Sequence, residues 1–542
     1  MTMVGSSNRS SCRIAVALLI TLVGSGALFA QAQDPLTPRR AARFLAQSTL
    51  GADWEDIERT TQLGIDNWLE DQFQQPIGRH EPLAAALQNG GVVLDSATRR
   101  AVWWQQVMES PDQLRQRVAL ALSEIYVVSD DFGAVDDNVL GASNYYDLLL
   151  EHAFGNFRDL LLDVSLHPIM GAYLSHLGNE RSNPAQGRFP DENYAREVMQ
   201  LFSIGLFELN IDGTLQLDGD GNAIPTYDND DITEFAKIFT GLSFASAFPD
   251  FRNGLPVWDR PMRMYQSYHE PGPKFLLRGH YVPASQSGMQ DIESAIDNLF
   301  QHPNVGPFVA RRLIQRMITS NPSPAYVRRV AEAFGNNGNG VRGDMQAVVR
   351  AVLLDPEART WPTTAVSIEG RVRESFLRRV HLARAFNAEN LTRNYPIDDR
   401  RAPVDFGQRP MSSPTVFNFF LPDHQPTGEI ADRDLFAPEF QIITAVTVIA
   451  SADALETQIT NAMNSTPDPL AAVQLDLTDE IALAPNVTAL IDRLDLLMTY
   501  GNMSGQMRQI LVENISRLSD PTERAQMALY LIAISPEFAV IQ

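Results

Sequence analysis

The chain has 542 residues, of which 44% are hydrophobic and 20% are charged, as is usual for a folded globular protein. Its 66 acidic and 43 basic residues give a formal net charge of −23 at pH 7, which argues against nucleic acids and anionic membranes as partners. The one cysteine, Cys12, excludes an internal disulfide and the cysteine pair that attaches a c-type haem.

The N-terminal segment has the pattern of a secretory signal peptide. Arg9 and Arg13 precede an apolar stretch, residues 14–30, and Ala30 and Ala32 supply the small residues of a cleavage site. The stretch is too short and too weakly flanked for a spanning helix, and an uncleaved anchor is the alternative interpretation. We therefore predict a signal peptide at residues 1–32. The mature chain is then periplasmic or secreted, contains no cysteine and does not associate with the membrane.

Helix signals follow one another along most of the remaining chain. Thr37 before Pro38 is typical of a helix N-cap followed by a first-turn proline, and Asp53 is a second capping residue. Further stretches with helical periodicity or caps occur at residues 65–73, 114–128, 145–153, 323–335, 344–354, 439–455 and 523–534. Helices therefore account for most of the predicted secondary structure.

Strand signals are scarce. Residues 214–217 and 223–226 flank a turn-rich segment and predict a surface hairpin. Residues 248–279 and 394–428 have the composition of loops. We predict an all-α fold: one large helical domain over residues 33–542 with a small β-hairpin insertion and, from about residue 430, a C-terminal helical lobe.

The stretch at residues 190–207 places several polar side chains on one side of a helix. A rotation of 100° per residue groups them on one arc, and they are Glu192, Asn193, Arg196, Glu197, Gln200 and Ser203. Val198 and Phe202 lie on the opposite, apolar side. Within the arc, Glu192–Arg196 and Asn193–Glu197 have the i,i+4 spacing at which side chains meet. The arc is either a solvated surface or a functional site, and periodicity alone leaves both open.

The same stretch carries a resemblance to a known family. Residues 191–205 read DENYAREVMQLFSIG, and further segments at 39–51, 153–174, 231–244, 269–279, 302–334, 409–428 and 535–542 complete the pattern. Together they resemble domain-of-unknown-function family 1800, a large family of exported bacterial proteins with the signature NENYARE-x-[LM]-x-LF-x-[IL]-G. Asp191 replaces the family's usual Asn and Gln200 its usual Glu. The resemblance covers nearly the whole mature chain, but the family has no established activity to imply.

A second candidate segment is the loop HEPGPK at residues 269–274. It carries an imidazole, His269, and an amine, Lys274, within six residues. The resemblance adds that this His and Lys recur in the family, although a proline-pinned loop with solvated charges is the alternative. No HExxH, GxSxG, P-loop or strand-borne GxGxxG occurs, so the sequence contains no nucleotide-binding motif.

Three classes of function remain compatible with these residues. The first is an exported hydrolase or lyase acting on an extracellular or envelope polymer, in which paired carboxylates serve as general acid and base. Its catalytic residues are predicted to be Glu192, Arg196, Glu197 and His269, and its substrate-binding residues Asn193, Gln200 and Lys274.

The second class is a non-catalytic exported scaffold or binding protein. Genes of the resembled family often neighbour those of exported proteins resembling the alkaline-phosphatase and sulfatase fold, which the resemblance therefore implies as a partner. The third class is a divalent-cation site. It would be formed by Glu192, Glu197, Asn193 and His269, an oxygen and nitrogen set suited to calcium, magnesium or manganese.

Overall fold

Capping side chains and first-turn prolines begin many of the helices where the sequence predicts them. The computed structural model describes residues 36–361, 370–392, 394–397, 399–464, 466 and 468–541, so the predicted signal peptide lies outside the described residues. The Thr37 hydroxyl accepts a hydrogen bond from the Arg40 amide, and the Asp53 carboxylate accepts one from the Asp56 amide at 2.7 Å. Asp344 caps its helix in the same way.

The described residues form 26 α-helices, and the fold is mainly α-helical, as predicted. The first twelve are α1 (Pro38–Ser48), α2 (Trp54–Leu63), α3 (Ile65–Gln74), α4 (Glu81–Asn89), α5 (Ser96–Glu109), α6 (Gln113–Ser123), α7 (Gly133–Asp136), α8 (Val139–His152), α9 (Phe157–Leu166), α10 (Pro168–Tyr173), α11 (Asn193–Gln200) and α12 (Asn229–Ile238). The others are α13 (Gly288–Phe300), α14 (Val305–Met317), α15 (Pro324–Gly335), α16 (Met345–Leu354), α17 (Pro356–Arg359), α18 (Ser375–Ala385), α19 (Ala402–Asp405), α20 (Glu429–Asp432), α21 (Ala445–Thr460), α22 (Thr478–Leu483), α23 (Val487–Thr499), α24 (Gly505–Ile515), α25 (Pro521–Ala533) and α26 (Pro536–Ala539).

Strands form three two-stranded antiparallel sheets. These pair β1 (Leu242–Ser243) with β2 (Arg263–Met264), β3 (Lys274–Leu276) with β4 (His280–Val282), and β5 (Arg371–Val372) with β6 (Val540–Ile541). Two of these sheets lie partly inside the segment predicted as loop, residues 248–279. Their strands are only two or three residues long, too short for an alternating pattern to be recognised.

The predicted hairpin belongs to a larger antiparallel ribbon, residues 206–226. Isolated bridges join Phe207 to Pro225, Leu209 to Leu215, and Leu217 to Ala223. The small β insertion is therefore present. It has three extended segments, because residues 206–210 pair with both of the segments predicted as strands.

Helix α11, which contains most of the family signature, packs its apolar side into the core. Tyr194, Val198 and Met199 are buried, and the Phe202 ring lies 5.3 Å from the Tyr126 ring between centroids. The ring of Phe239, the residue that follows α12, contacts the Tyr194 ring edge-on, with 4.8 Å between the ring centroids. The predicted apolar side is thus a core side.

The predicted polar arc includes one residue too many, Ser203, because α11 ends at Gln200. The amides of Phe202 and Ile204 donate to the carbonyl oxygens of Glu197 and Met199, five residues earlier, and Gly205 has a φ of 76°. This altered ending rotates the residues that follow away from the helical pattern. Ser203 is therefore buried, donates its hydroxyl to the Val198 carbonyl, and is not part of a polar face.

The C-terminal helices pack on one another and on the rest of the chain. Helices α22, α23, α24 and α25 are neighbours, and α23 also packs against α1 and α26. The chain from Leu36 onward accordingly forms one compact unit. In the part that the structure describes, no helix combines the length and apolar character needed to cross a bilayer.

Candidate functional site

The outer part of the α11 polar face is open to solvent. Glu192 and Arg196 form an ion pair at 3.5 Å with side chains that are 44% and 41% exposed. Glu192 also accepts a hydrogen bond from the Thr233 hydroxyl of α12 at 3.1 Å. Asn193 is exposed beside this pair. These three residues have the environment of a surface, where an ion pair contributes at most about 1 kcal/mol.

Glu197, one residue further along the helix, is buried. Only 6% of it is exposed, and its Oε2 atom accepts no hydrogen bond from any described residue. Desolvation raises the pKa of this carboxyl to about 6, against a smaller opposing effect of the Arg196 charge. One residue of the polar face, Glu197, is therefore shielded from solvent, and ionising its carboxyl group at neutral pH is energetically unfavourable.

Tyr227, which directly follows the ribbon, lies close to this buried part of α11. Its hydroxyl donates a hydrogen bond to the Gln200 side-chain oxygen at 3.2 Å, and both residues are half-buried. Desolvation raises the pKa of Tyr227 to about 12, and the Glu197 charge adds to that shift. Tyr227 was not among the residues predicted from sequence, because it lies 27 positions from Gln200 and outside the helical pattern.

His269 and Lys274 are both buried, and they meet on the carboxylate of Asp291. His269 Nε2 lies 2.9 Å from Asp291 Oδ2, and Lys274 Nζ donates to the same oxygen. His269 Nδ1 lies 2.9 Å from the Thr240 carbonyl oxygen, and Lys274 Nζ also donates to the Glu270 carbonyl at 2.6 Å. The HEPGPK loop is thus fastened to the first turn of α13, and its charged groups are not in water.

The electrostatics of this cluster favour the charged carboxylate. Desolvation raises the pKa of Asp291, but hydrogen bonds from His269 and Lys274 outweigh it, and the net shift is downward. An ionised Asp291 beside a buried ammonium group is a closed ion pair that stabilises the loop. Asp291 could not be identified from the sequence, because nothing in α13 marks it as the partner of a residue 22 positions earlier.

The structure therefore divides the seven predicted site residues into two groups. Within the described chain, no hydrogen bond or ion pair joins the α11 polar face to His269 or Lys274. The described residues also contain no group of three His, Cys, Asp or Glu side chains arranged to hold a metal ion. Both ring nitrogens of His269 are already occupied, so the predicted set of Glu192, Glu197, Asn193 and His269 is not assembled.

A second buried group of ionisable residues was missed by the sequence interpretation. The Gln408 amide nitrogen donates to Glu124 Oε1 at 2.9 Å and also to Glu374 Oε2. Arg316 pairs with Glu124 at 3.2 Å, and Arg371 pairs with Glu374 at 2.5 Å. All five residues are buried, and they come from distant parts of the sequence. The local signal is a carboxylate, Glu124, that follows the apolar run of residues 118–122.

The two carboxyl groups of this network have opposite pKa shifts. Desolvation and the nearby Glu374 charge raise the pKa of Glu124 well above its ordinary value. For Glu374, attraction to Arg371 and a hydrogen bond from Glu124 outweigh desolvation and lower the pKa to about 2. Of the two carboxyl groups, Glu124 therefore holds a proton more readily, and Glu374 is the one whose ionised form is favoured. The adjoining cavity, lined by Glu124, Gln408 and Asn418 among others, has a volume of about 10 Å³, too small for an organic substrate.

A sizeable groove lies elsewhere on the described chain. Its volume is about 710 Å³, and α15, α16 and the loop between them line it, with Arg329, Asn337 and Arg350 among the lining side chains. None of the seven predicted site residues lines this groove. The predicted catalytic groups are therefore not placed around this groove.

Comparison with known proteins gives one match. A family model described as a protein of unknown function, DUF1800, matches residues 43–540, which is nearly the whole chain. No curated protein and no solved structure matches the chain.

Proposed function

The chain belongs to the DUF1800 family, and we propose that it is an exported, non-catalytic binding protein that recognises another exported protein through the exposed part of α11 and the ribbon at residues 206–226. The observation that carries this proposal is the separation of the predicted catalytic groups. Glu192 and Arg196 are at the surface, whereas the polar groups of His269 and Lys274 are engaged in a buried contact with Asp291.

The ribbon that follows α11 supports the proposal, because it exposes large apolar side chains. Phe207, Leu215 and Leu217 are 42%, 48% and 55% exposed. The bridges Phe207–Pro225, Leu209–Leu215 and Leu217–Ala223 join each extended segment to the other two, and the alternation of side chains turns these three residues to the outer side of the ribbon. Exposed apolar groups beside charged ones are typical of a surface that associates with another protein.

The proposed partner is an exported protein resembling the alkaline-phosphatase and sulfatase fold. This choice follows from the family resemblance, in which genes for the two kinds of protein are often neighbours. The test is to purify the mature chain and the neighbouring gene product and to measure their association by calorimetry. Arg196→Glu is expected to weaken binding by at least about tenfold, because charge reversal in an interface introduces repulsion and unpaired charge.

Arg433→Glu is the matched control for that experiment. Arg433 also pairs with a glutamate four residues earlier, Glu429, at 3.8 Å and is similarly exposed. The control is expected to bind as the wild type does. Leu217→Ser should reproduce the loss caused by Arg196→Glu if the ribbon belongs to the same surface. Absence of wild-type binding, or equal effects of Arg196→Glu and Arg433→Glu, would contradict the proposal.

Export is a separate part of the proposal and has its own test. The basic, apolar and small-residue pattern of residues 1–32 supports cleavage near Gln33. N-terminal sequencing of protein recovered from the periplasm or medium should start close to that residue. Recovery of an intact Met1 from the cytoplasm would contradict it.

A second candidate function is acid–base catalysis at Glu197. The observation that favours it is the buried carboxyl with an unpartnered Oε2 and a pKa of about 6, beside the Tyr227 hydroxyl group. A carboxyl group with this pKa can exchange a proton near neutral pH. Incubation with purified envelope polysaccharides, followed by mass spectrometry of released products, tests this function. Glu197→Gln should abolish product release in that case, and wild-type protein that releases no product would contradict it.

A further inference from the structure

A small cavity near the C-terminal strand is lined by three arginines. Its volume is about 20 Å³, and Arg117 of α6, Arg371 of β5 and Arg373 line it together with Gly51, His381 and Ile541. The three arginines are only 2–3% exposed, so none of them reaches bulk solvent. A cavity of this size holds one particle about as large as a water molecule.

Arg373 has no polar partner for its terminal nitrogens. It is 3% exposed, and neither Nη1 nor Nη2 makes a hydrogen bond or an ion pair with any described residue. Its guanidinium carbon lies 4.4 Å from the centre of the Phe538 ring and 5.7 Å from that of Tyr500. Ring faces attract the positive charge, but they leave the N–H groups in the guanidinium plane without acceptors.

Arg117 is in a similar position. One terminal nitrogen donates to the Arg316 carbonyl oxygen, but Nη1 has no hydrogen-bond partner among the described residues. Arg371, the third arginine, differs from the other two because it pairs with Glu374 at 2.5 Å and lies 3.3 Å from Glu439. Arg117 and Arg373 therefore bring unsatisfied donors to the cavity.

The surrounding carboxylates compensate these two cations only in part: Glu374 and Glu124 oppose the lowering of the Arg117 pKa, and no carboxylate does so for Arg373. Glu374 already pairs with Arg371, and Glu124 pairs with Arg316 at 3.2 Å. Burial lowers the pKa of Arg373 to about 9 and that of Arg117 to about 10, so both remain protonated at neutral pH. Buried cations without a counter-charge are strongly unfavourable, and the usual solution is a nearby anion.

We propose that this cavity binds one chloride ion, held by the free N–H groups of Arg117 and Arg373. A cavity with room for about one water-sized particle favours a small anion such as chloride over a larger phosphate or sulfate group. The bound ion is structural. It connects α6 and the start of α18 with Phe538 and Ile541 at the C-terminal end of the fold.

Thermal unfolding of the mature full-length chain tests this site. Sodium chloride replaces sodium gluconate at constant ionic strength, and scanning calorimetry follows the melting temperature. Above the dissociation constant, the melting temperature should rise by about 1–2 °C for each tenfold increase in chloride, since a ligand that binds only the folded state stabilises it by mass action. In crystals grown with sodium bromide, an anomalous scattering peak should lie between Arg117 and Arg373.

Arg373→Met should remove the chloride response while keeping an unbranched side chain against Phe538. The matched control is Arg342→Met, because Arg342 also stacks on phenylalanine rings but donates its hydrogen bonds to the carbonyl oxygens of Phe300 and His302. The control should keep the full response. If Arg373→Met does not fold, the bromide peak in wild-type crystals decides the matter. Equal melting temperatures in chloride and gluconate, an unchanged response in Arg373→Met, or a cavity without a bromide peak would each overturn the proposal.

Discussion

Lys274 Nζ donates a hydrogen bond to Asp291 Oδ2, and both side chains are only 1% exposed. The contact joins the end of a proline-pinned loop to the first turn of α13, and His269 completes it from the same loop at 2.9 Å. Such a group resists separation, because loss of one partner leaves an uncompensated charge in the interior. The loop is therefore held by its charges as well as by its prolines.

Lys274→Met should lower the free energy of unfolding by about 3–5 kcal/mol, since it removes the cation and leaves the buried carboxylate. Urea titration measures this change. Lys237→Met is the matched control, because Lys237 pairs with Glu234 at 2.5 Å in a partly exposed position and should cost less than about 1 kcal/mol. Equal losses in the two variants would mean that the Lys274–Asp291 contact has no special role.

The same contact has a pH dependence with a defined sign. The folded-state pKa of Asp291 is lowered, so its contribution to stability is present above the ordinary pKa of 3.8 and is lost as the pH falls through the folded value. Wild-type protein should accordingly lose more stability than Lys274→Met on acidification from pH 5 towards the folded-state pKa. Unfolding curves of both proteins at several acid pH values give the comparison.

Glu124 and Glu374 are predicted to respond very differently to the same substitution. The raised pKa of Glu124 favours its neutral form, which Gln resembles in shape and charge, so Glu124→Gln should cost less than about 1.5 kcal/mol. Glu374 is the ionised partner of Arg371, and Glu374→Gln should cost about 3–5 kcal/mol. Each variant serves as the other's control in urea titration. A larger loss for Glu124→Gln would show that the proton resides on Glu374.

Phe202→Ala tests whether the apolar side of α11 is a core side. The Phe202 side chain is fully buried against Tyr126, and its removal should cost about 3–5 kcal/mol. Phe207→Ala removes the same ring from a position that is 42% exposed and should cost less than about 1 kcal/mol. Chemical unfolding of both variants checks this difference, and similar losses would place the two rings in equivalent environments.

The sequence was sufficient for the features that depend on local interactions. Caps such as Thr37 and Asp53 are used as predicted, because a capping side chain bonds to a backbone amide two or three residues away. Periodicity also identified the buried side of α11 correctly. Periodicity cannot tell what covers a polar side chain, however: Tyr227, from later in the chain, approaches Glu197, whereas Glu192 stays 44% exposed beside α12.

Contacts between distant segments left no comparable signal. The network of Glu124, Glu374 and Gln408 joins three parts of the chain that no spacing relates, and each residue alone is an ordinary polar residue. His269 was predicted as a site residue from its loop, but its partner Asp291 lies on a helix whose pattern is that of any amphipathic helix. Only the structure could therefore show that the candidate residues lie in two separate places, the polar face of α11 and the contact with Asp291.

The last prediction concerns Glu197. Burial raises its folded-state pKa from 4.5 to about 6, so the folded protein binds this proton more tightly than the unfolded chain does. The corresponding stability is fully present below pH 4.5 and is lost as the pH rises through 6. A shift of this size corresponds to about 1–2 kcal/mol. Glu197→Gln lacks the titrating group and should match wild type at pH 4.5 and exceed it by that amount at pH 7.5.

Glu192→Gln is the control for this measurement, since Glu192 lies on the same helix but is 44% exposed. Its difference from wild type should change by less than about 0.5 kcal/mol between the two pH values. Partner binding by the Glu197→Gln protein then separates the two candidate functions. If the Glu197→Gln protein binds the partner as wild type does and the Arg196→Glu protein does not, the exposed residues of α11 provide recognition. Glu197 then affects only the stability of the fold. If Glu197→Gln is more stable at pH 7.5 yet inactive on a polymer that the wild type degrades, the buried carboxyl group is retained for catalysis despite its cost.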